Sequence, residues 1–213
     1  FLVTSSISGE GKTYIAGNLA IIFAQSGKKT ILVGADLRRP RIYSDFNLDN
    51  SVGLSDYLLN NTSLKDLITK TETPFLDVLV SGPLPKNPSD AILSAEFKEM
   101  MRVLRNEYDI IILDTPPLGI MTDALSLMRY SDKNIYIVRQ NYTKKGMLSY
   151  INEMSENERL GDIKIILNDI KEGSLGYGYG YGYGYGYGYG YGYSDDVSSS
   201  DYFENEIINN EDK

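Results

Sequence analysis

Gly9, Glu10, Gly11, Lys12 and Thr13 are the densest run of chemistry-bearing residues near the start of the chain. The two glycines free the backbone to curl until successive N–H groups converge on one point, as an anion requires. A lysine directly after them can reach the outer phosphates of a nucleotide, and the Thr13 hydroxyl can join the shell of a Mg²⁺ ion. The chemistry indicated is phosphate binding. The backbone of Ser8, Gly9, Glu10, Gly11, Lys12 and Thr13 forms the cradle, and the start of the following helix adds partial positive charge. Such loops usually open on a glycine, and here Ser6 stands in that place.

Two more polar clusters follow apolar runs. Asp114 comes directly after Ile110–Leu113, so a buried strand would deliver its carboxylate opposite the loop, where Mg²⁺ is commonly partnered. Asp36 lies just past Ile31-Leu32-Val33 and can hold Mg²⁺ through water or accept a proton. Arg38, Arg39 and Arg41 beside it can bind phosphate, nucleotide or an acidic segment, or form a solvated basic turn. The chain has no Cys and no His. Thiolate chemistry and Cys-based zinc sites are excluded, and any general base is a carboxylate, a Lys, a Tyr or the substrate itself.

These residues need elements to hold them. Apolar runs predict strands over 1–3, 29–34, 75–80, 109–114, 134–139 and 163–167, the last ending at Asn168. Helical spacing predicts helices over 13–26, 53–60, 63–70, 89–108, 122–130 and 143–160. The first should bury Ile15, Leu19, Ile22 and Phe23 and end on Gly27. The helix over 89–108 should bury Ile92, Leu93, Phe97, Met100, Met101 and Leu104, after a Pro-rich loop over 82–88. Strands that alternate with helices, and are continuously apolar, predict an α/β fold with a mostly parallel sheet. Ligands in such sheets bind outside the carboxyl ends of the strands, where all three clusters fall.

The 213 residues suffice for one domain with a proper core, expected over 1–175. Of the net charge of −8, −6 falls on residues 176–213 (seven acids, one base), so there is no electrostatic footprint for nucleic acid. No apolar run is long enough to span a bilayer, and no signal peptide is visible. The chain begins within its first predicted strand, which reads as a fragment with upstream sequence missing.

Residues 176–193 alternate Gly and Tyr strictly, with nine tyrosines: Tyr177, Tyr179, Tyr181, Tyr183, Tyr185, Tyr187, Tyr189, Tyr191 and Tyr193. An alternating glycine offers no second face to pack, so residues 176–213 read as a disordered tail. Three uses compete: a sticky low-complexity strip, a bank of phosphoacceptors, or a glycan- or partner-binding strip. Each added phosphate would bring about −1.5 to −2 charge at pH 7.

TSSISGEGKT, ILVGADLRRP, DIIILDTPP and the Tyr-rich tail, in that order, resemble the bacterial tyrosine kinases (BY-kinases) of capsule and exopolysaccharide export. These descend from the MinD/ParA-like P-loop ATPases. Relatives that partition DNA or place division sites carry an extra Lys early in the loop, where this chain has Ile7. The resemblance implies a three-layer P-loop NTPase fold, ATP and Mg²⁺ as cofactors, and a protein-tyrosine autokinase that acts on its own tail. It implies Lys12 on phosphate, Thr13, Asp36 and Asp114 around Mg²⁺, Arg38 in the catalytic set, and Asn168 where the adenine is read. It also implies trans phosphorylation within a homo-oligomer, a membrane-anchored region or adaptor, a cognate phosphatase, and a place at the cytoplasmic face of the bacterial inner membrane. The family's D-x-D-x-R box reads G-A-D-L-R here, with Gly34 at the first acid. Either Asp36 or Asp114 then activates the tyrosine hydroxyl, or the loose transition state of phosphoryl transfer needs little base help, or activity is weak. Should the chain transfer no phosphate, restoring upstream sequence or Gly34→Asp is expected to recover activity. The rival readings are a MinD/ParA-like ATPase and an ATP-binding scaffold without turnover.

Overall fold

The computed structural model describes residues 1–60, 62–118, 123–156 and 163–171. The tail tyrosines and parts of the predicted helices over 122–130 and 143–160 lie outside the described residues. The strands are β1 (Leu2–Ser5), β2 (Thr30–Gly34), β3 (Thr69–Lys70), β4 (Leu76–Leu79), β5 (Ile110–Asp114), β6 (Asn134–Arg139) and β7 (Ile163–Asn168). The helices are α1 (Lys12–Gln25), α2 (Ile42–Asp45), α3 (Leu54–Asn60), α4 (Leu64–Leu67), α5 (Pro88–Leu93), α6 (Ala95–Glu107), α7 (Asp123–Met128) and α8 (Lys145–Glu156).

The strands form one sheet in the order β3-β4-β2-β5-β1-β6-β7, parallel except where β3 pairs with β4. This is the three-layer P-loop NTPase fold. Successive residues of each central strand face opposite layers. Leu2, Ile31 and Val33 pack with Phe97, Met100 and Leu104 on one side. Val3, Leu32 and Ile112 pack with Ala16, Ala20 and Ala24 on the other. Register sets Gly34 beside Asp114, and Asp114 beside Val3, so three strand ends open on one place.

Several expectations need correction. Helix α1 buries Ala16, Gly17, Ala20 and Ala24, whereas Ile22 is exposed and Ile15, Leu19 and Phe23 are only partly buried. Small side chains one turn apart let the helix axis approach the sheet closely, and a larger residue cannot enter that seam. The helix does end as expected: Gly27 has φ +81°, and the N–H groups of Gly27 and Lys28 return to the carbonyls of Ala24 and Phe23.

The helix expected over 89–108 is two helices. Ser94 has extended backbone, and its hydroxyl accepts from the Phe97 N–H at 3.2 Å, which starts α6 afresh. The break leaves Leu93 half exposed, and Pro88 opens α5 instead of closing a loop. Residues 69–70, expected at the end of a helix, form the antiparallel edge strand, so the sheet has seven strands and not six. Helix α2 was not anticipated.

Candidate active site

The loop between β1 and α1 carries its left-handed residues at Gly9 (φ +87°) and Gly11 (φ +93°). A Cβ on Gly11 would lie 2.2 Å from Asn168 Nδ2, so that position requires glycine on two grounds. Ser6 takes no such φ, which is why serine can stand at the opening position. Its hydroxyl hydrogen-bonds the Tyr136 hydroxyl in the core. Burial pushes the Tyr136 phenol up to about 12.

Lys12 folds back from the loop onto two carboxylates. Its Nζ lies 3.1 Å from Asp36 Oδ2 and 3.7 Å from Asp114 Oδ1, with all three side chains buried. Burial disfavours the ammonium, but the Asp114 and Asp36 charges and hydrogen bonds outweigh it, and the Lys12 pKa ends above its ordinary value. Burial also raises Asp114 to about 6, against the opposing pull of Lys12 and the Thr13 hydrogen bond. Asp36 is fixed by its own turn: Oδ1 accepts from the N–H groups of Arg38 (3.3 Å) and Arg39 (3.0 Å).

The Thr13 hydroxyl donates to Asp114 Oδ2 at 2.8 Å, and Asp114 Oδ1 is buried with no partner at hydrogen-bond distance, facing only Lys12 Nζ at 3.7 Å. A hydroxyl and a carboxylate oxygen that only Lys12 faces are hard donors that fit Mg²⁺ once the lysine turns to phosphate. Among the described residues, no group of three or more His, Cys, Asp or Glu forms a metal cage. Few protein ligands, completed by phosphate and water, is the usual Mg²⁺ arrangement.

Beside this cluster opens a cleft of about 360 Å³. Ser8, Gly9, Gly11, Lys12 and Thr13 line one wall, Asp36, Arg38, Arg39 and Arg41 another, and Pro116 with Pro117 a third. Arg38 Nη2 also donates to the Ser89 hydroxyl at 2.9 Å. Asp36 reaches the cleft wall, whereas Asp114 lies behind Thr13. Gly34 contributes no side chain, and Ser81 fills the space: its hydroxyl donates to the Gly34 carbonyl at 2.7 Å.

Structure thus brings together Ser8, Gly9, Gly11, Lys12, Thr13, Asp36, Arg38 and Asp114. Asn168 reaches the same loop, but its Nδ2 donates to the Glu10 carbonyl at 3.0 Å, and the Glu10 side chain turns inward, away from the cleft. Sequence reasoning missed the turn after β6. Arg139 Nη1 donates to the Gly9 carbonyl (2.9 Å), the Tyr142 hydroxyl donates to the Ser8 carbonyl (3.0 Å), and Thr143 bonds Glu10. The available signal was position, since this turn leaves the carboxyl end of the strand next to β1.

Residues 3–165 match a protein family described as AAA domain. The chain is 40% identical over 144 residues to tyrosine-protein kinase YwqD of Bacillus subtilis (strain 168), covering 68% of this chain and 61% of that protein. It therefore spans less than two thirds of YwqD. It is 35% identical over 176 residues to tyrosine-protein kinase CpsD of Streptococcus agalactiae serotype III (strain NEM316), covering 82% of this chain and 76% of that protein. The solved kinase domain of the Escherichia coli tyrosine kinase ETK superposes with a TM-score of 0.76 at 30% identity, covering 85% of this chain and 72% of that one. With this loop, these two acids and these relatives, the chain belongs to the AAA-domain P-loop proteins and, within them, to the bacterial tyrosine-protein kinase family.

Proposed function

We propose that this chain transfers the γ-phosphate of ATP to tyrosine hydroxyls, with Tyr177–Tyr193 of a neighbouring copy as acceptors. The observation that carries this reading is the buried cluster of Lys12, Asp36 and Asp114 at the mouth of a phosphate-binding loop, in a chain of this family. Thr13 and Asp114 would hold Mg²⁺, with Asp36 reaching it through water. The ion supplies charge neutralisation on the phosphates when bound.

The protein's own residues do the rest. Lys12, which lines the cleft, leaves the two carboxylates for phosphate, and this frees Asp36 Oδ2 at the cleft wall. The acceptor oxygen forms the new O–P bond, the bond from Pγ to the bridging oxygen breaks, and ADP leaves. A phenol is a poor nucleophile at neutral pH, and its proton passes to Asp36. Arg38 and its neighbours offset the negative charge of the acidic tail and of the transferring group. Asn168 sits where it can support the nucleotide through the loop.

The domain boundary near residue 175, self-association, a membrane-anchored region or adaptor, a cognate phosphatase and a place at the inner membrane in polysaccharide export complete the reading. They are supported by family resemblance. Among the described residues no helix is long and apolar enough to cross a membrane. Accumulated tail phosphate would repel neighbouring copies and loosen the assembly.

A second reading has one specific observation in its favour. With Ser81 in place of a side chain at position 34, the site lacks one acid, as suits an ATPase that releases phosphate to water. Mixing the wild type with a mass-tagged Lys12→Met chain and Mg-ATP separates the two. Phosphotyrosine on the tagged chain supports the kinase. Free phosphate with neither chain labelled supports the ATPase.

A further inference from the structure

Three successive carbonyls of the phosphate-binding loop, Ser8, Gly9 and Glu10, point away from the cleft, and each is held by a donor from a distant segment. The donors are the Tyr142 hydroxyl, Arg139 Nη1 and Asn168 Nδ2, at 3.0, 2.9 and 3.0 Å. In a trans peptide the C=O of one residue and the N–H of the next point in opposite directions. Holding these three carbonyls outward therefore turns the N–H groups of Gly9, Glu10 and Gly11 inward.

The Glu10 side chain completes the device. It is fully buried inside the loop, with Oε2 accepting from the Ile7 N–H at 2.8 Å and Oε1 from the Thr143 hydroxyl. The Ile7 N–H is thereby withdrawn from any ligand. Thr143 is fixed in turn, because its oxygen accepts from the Arg139 N–H at 2.9 Å. Arg139 Nε is anchored 3.0 Å from Asp169, one residue beyond β7. The turn over residues 139–143 thus grips the loop at several points, through side chains of three different types.

We infer that Glu10 and Thr143 are positioning residues that hold the loop in its phosphate-binding shape before nucleotide arrives. Glu10 selects which N–H groups face the phosphates, and Thr143 fixes Glu10. The inference rests on the nucleotide-site reading above, and it concerns loop shape rather than transfer to tyrosine.

The test uses the full chain as wild type, Thr143→Val, Thr143→Ser and Tyr142→Phe. MgADP affinity is measured by calorimetry, and amide exchange of residues 7–12 is followed without nucleotide. Valine keeps the shape of threonine but neither donates to Glu10 nor accepts from Arg139. Loss of such a charge-assisted bond should weaken MgADP binding about tenfold. Exchange of the loop amides should quicken, whereas Thr143→Ser should stay within about twofold of wild type on both measures. Tyr142→Phe removes one carbonyl anchor at a half-exposed site, so it should fold regardless and weaken binding about threefold. Thr143→Val, or Tyr142→Phe should the valine variant not fold, matching the wild type in affinity and exchange would overturn the inference alone. A serine variant as weak as the valine variant would also overturn it. A wild type that binds no MgADP would overturn the nucleotide-site reading, and this inference with it.

Discussion

The Ser81 hydroxyl donates to the Gly34 carbonyl at 2.7 Å and stands 2.6 Å from where a Cβ on residue 34 would lie. The Ser81 backbone N–H nitrogen is 3.1 Å from the same point. A side chain at position 34 therefore has to displace the Ser81 hydroxyl, so the recovery of activity expected of Gly34→Asp carries a packing cost. Gly34→Asp should lose stability by roughly 1–3 kcal/mol through overpacking. Gly34→Asp with Ser81→Gly should recover most of that loss. Urea unfolding beside a phosphate-transfer assay reads both.

Lys12 is the buried countercharge of Asp36 and Asp114 as well as the expected phosphate ligand. Lys12→Met leaves two carboxylates facing each other in the interior. The nucleotide-free protein should be destabilised by roughly 3 kcal/mol. Adding Asp36→Asn should restore about half of it, because only one buried charge then remains unpaired. Equal unfolding midpoints for wild type and Lys12→Met would contradict the burial argument.

The two acids should part company when each is neutralised. Asp114→Asn alters the group that holds the Thr13 hydroxyl and whose Oδ1 faces Lys12. It should lower the Mg²⁺ dependence of nucleotide binding. Asp36→Asn removes the carboxylate at the cleft wall. It should reduce transfer about 100-fold if Asp36 is the base, with MgADP affinity changed by no more than about threefold. Calorimetry with and without Mg²⁺, set against transfer rates, separates the roles.

Ala20 is fully buried in the seam between α1 and the sheet. Ala20→Leu should cost about 1–3 kcal/mol of stability and weaken MgADP binding, since α1 carries Lys12 and Thr13 on its first turn. Thermal unfolding and calorimetry on the same preparation check this. Unchanged affinity would mean that the loop is set without the helix.

The six parallel strands and the three polar clusters were legible because each of those strands is a short apolar run, with Asp36 and Asp114 at or just past two of the exits. Strand β3, Thr69–Lys70, has no apolar run and gave no such signal. Helix α1 was legible in place but not in orientation: alanine carries little hydrophobic signal, so Ile22 looked like a core residue when Ala16, Ala20 and Ala24 fill that face. Ser94 hid a helix boundary inside a continuous helical pattern, because a capping serine matters only through the Phe97 N–H that it receives. Ser81 and the turn over 139–143 were not legible at all. Each meets its partner across 47 to 134 residues of chain, and only the strand order makes them neighbours.

The most direct measurement of the central claim is the intact mass of the full chain after phosphatase treatment and incubation with Mg-ATP, beside Lys12→Met. The kinase reading predicts phosphate-sized steps in the wild type alone, mapping to Tyr177–Tyr193. ATP bound and turned over to ADP with no phosphate on the protein would contradict it.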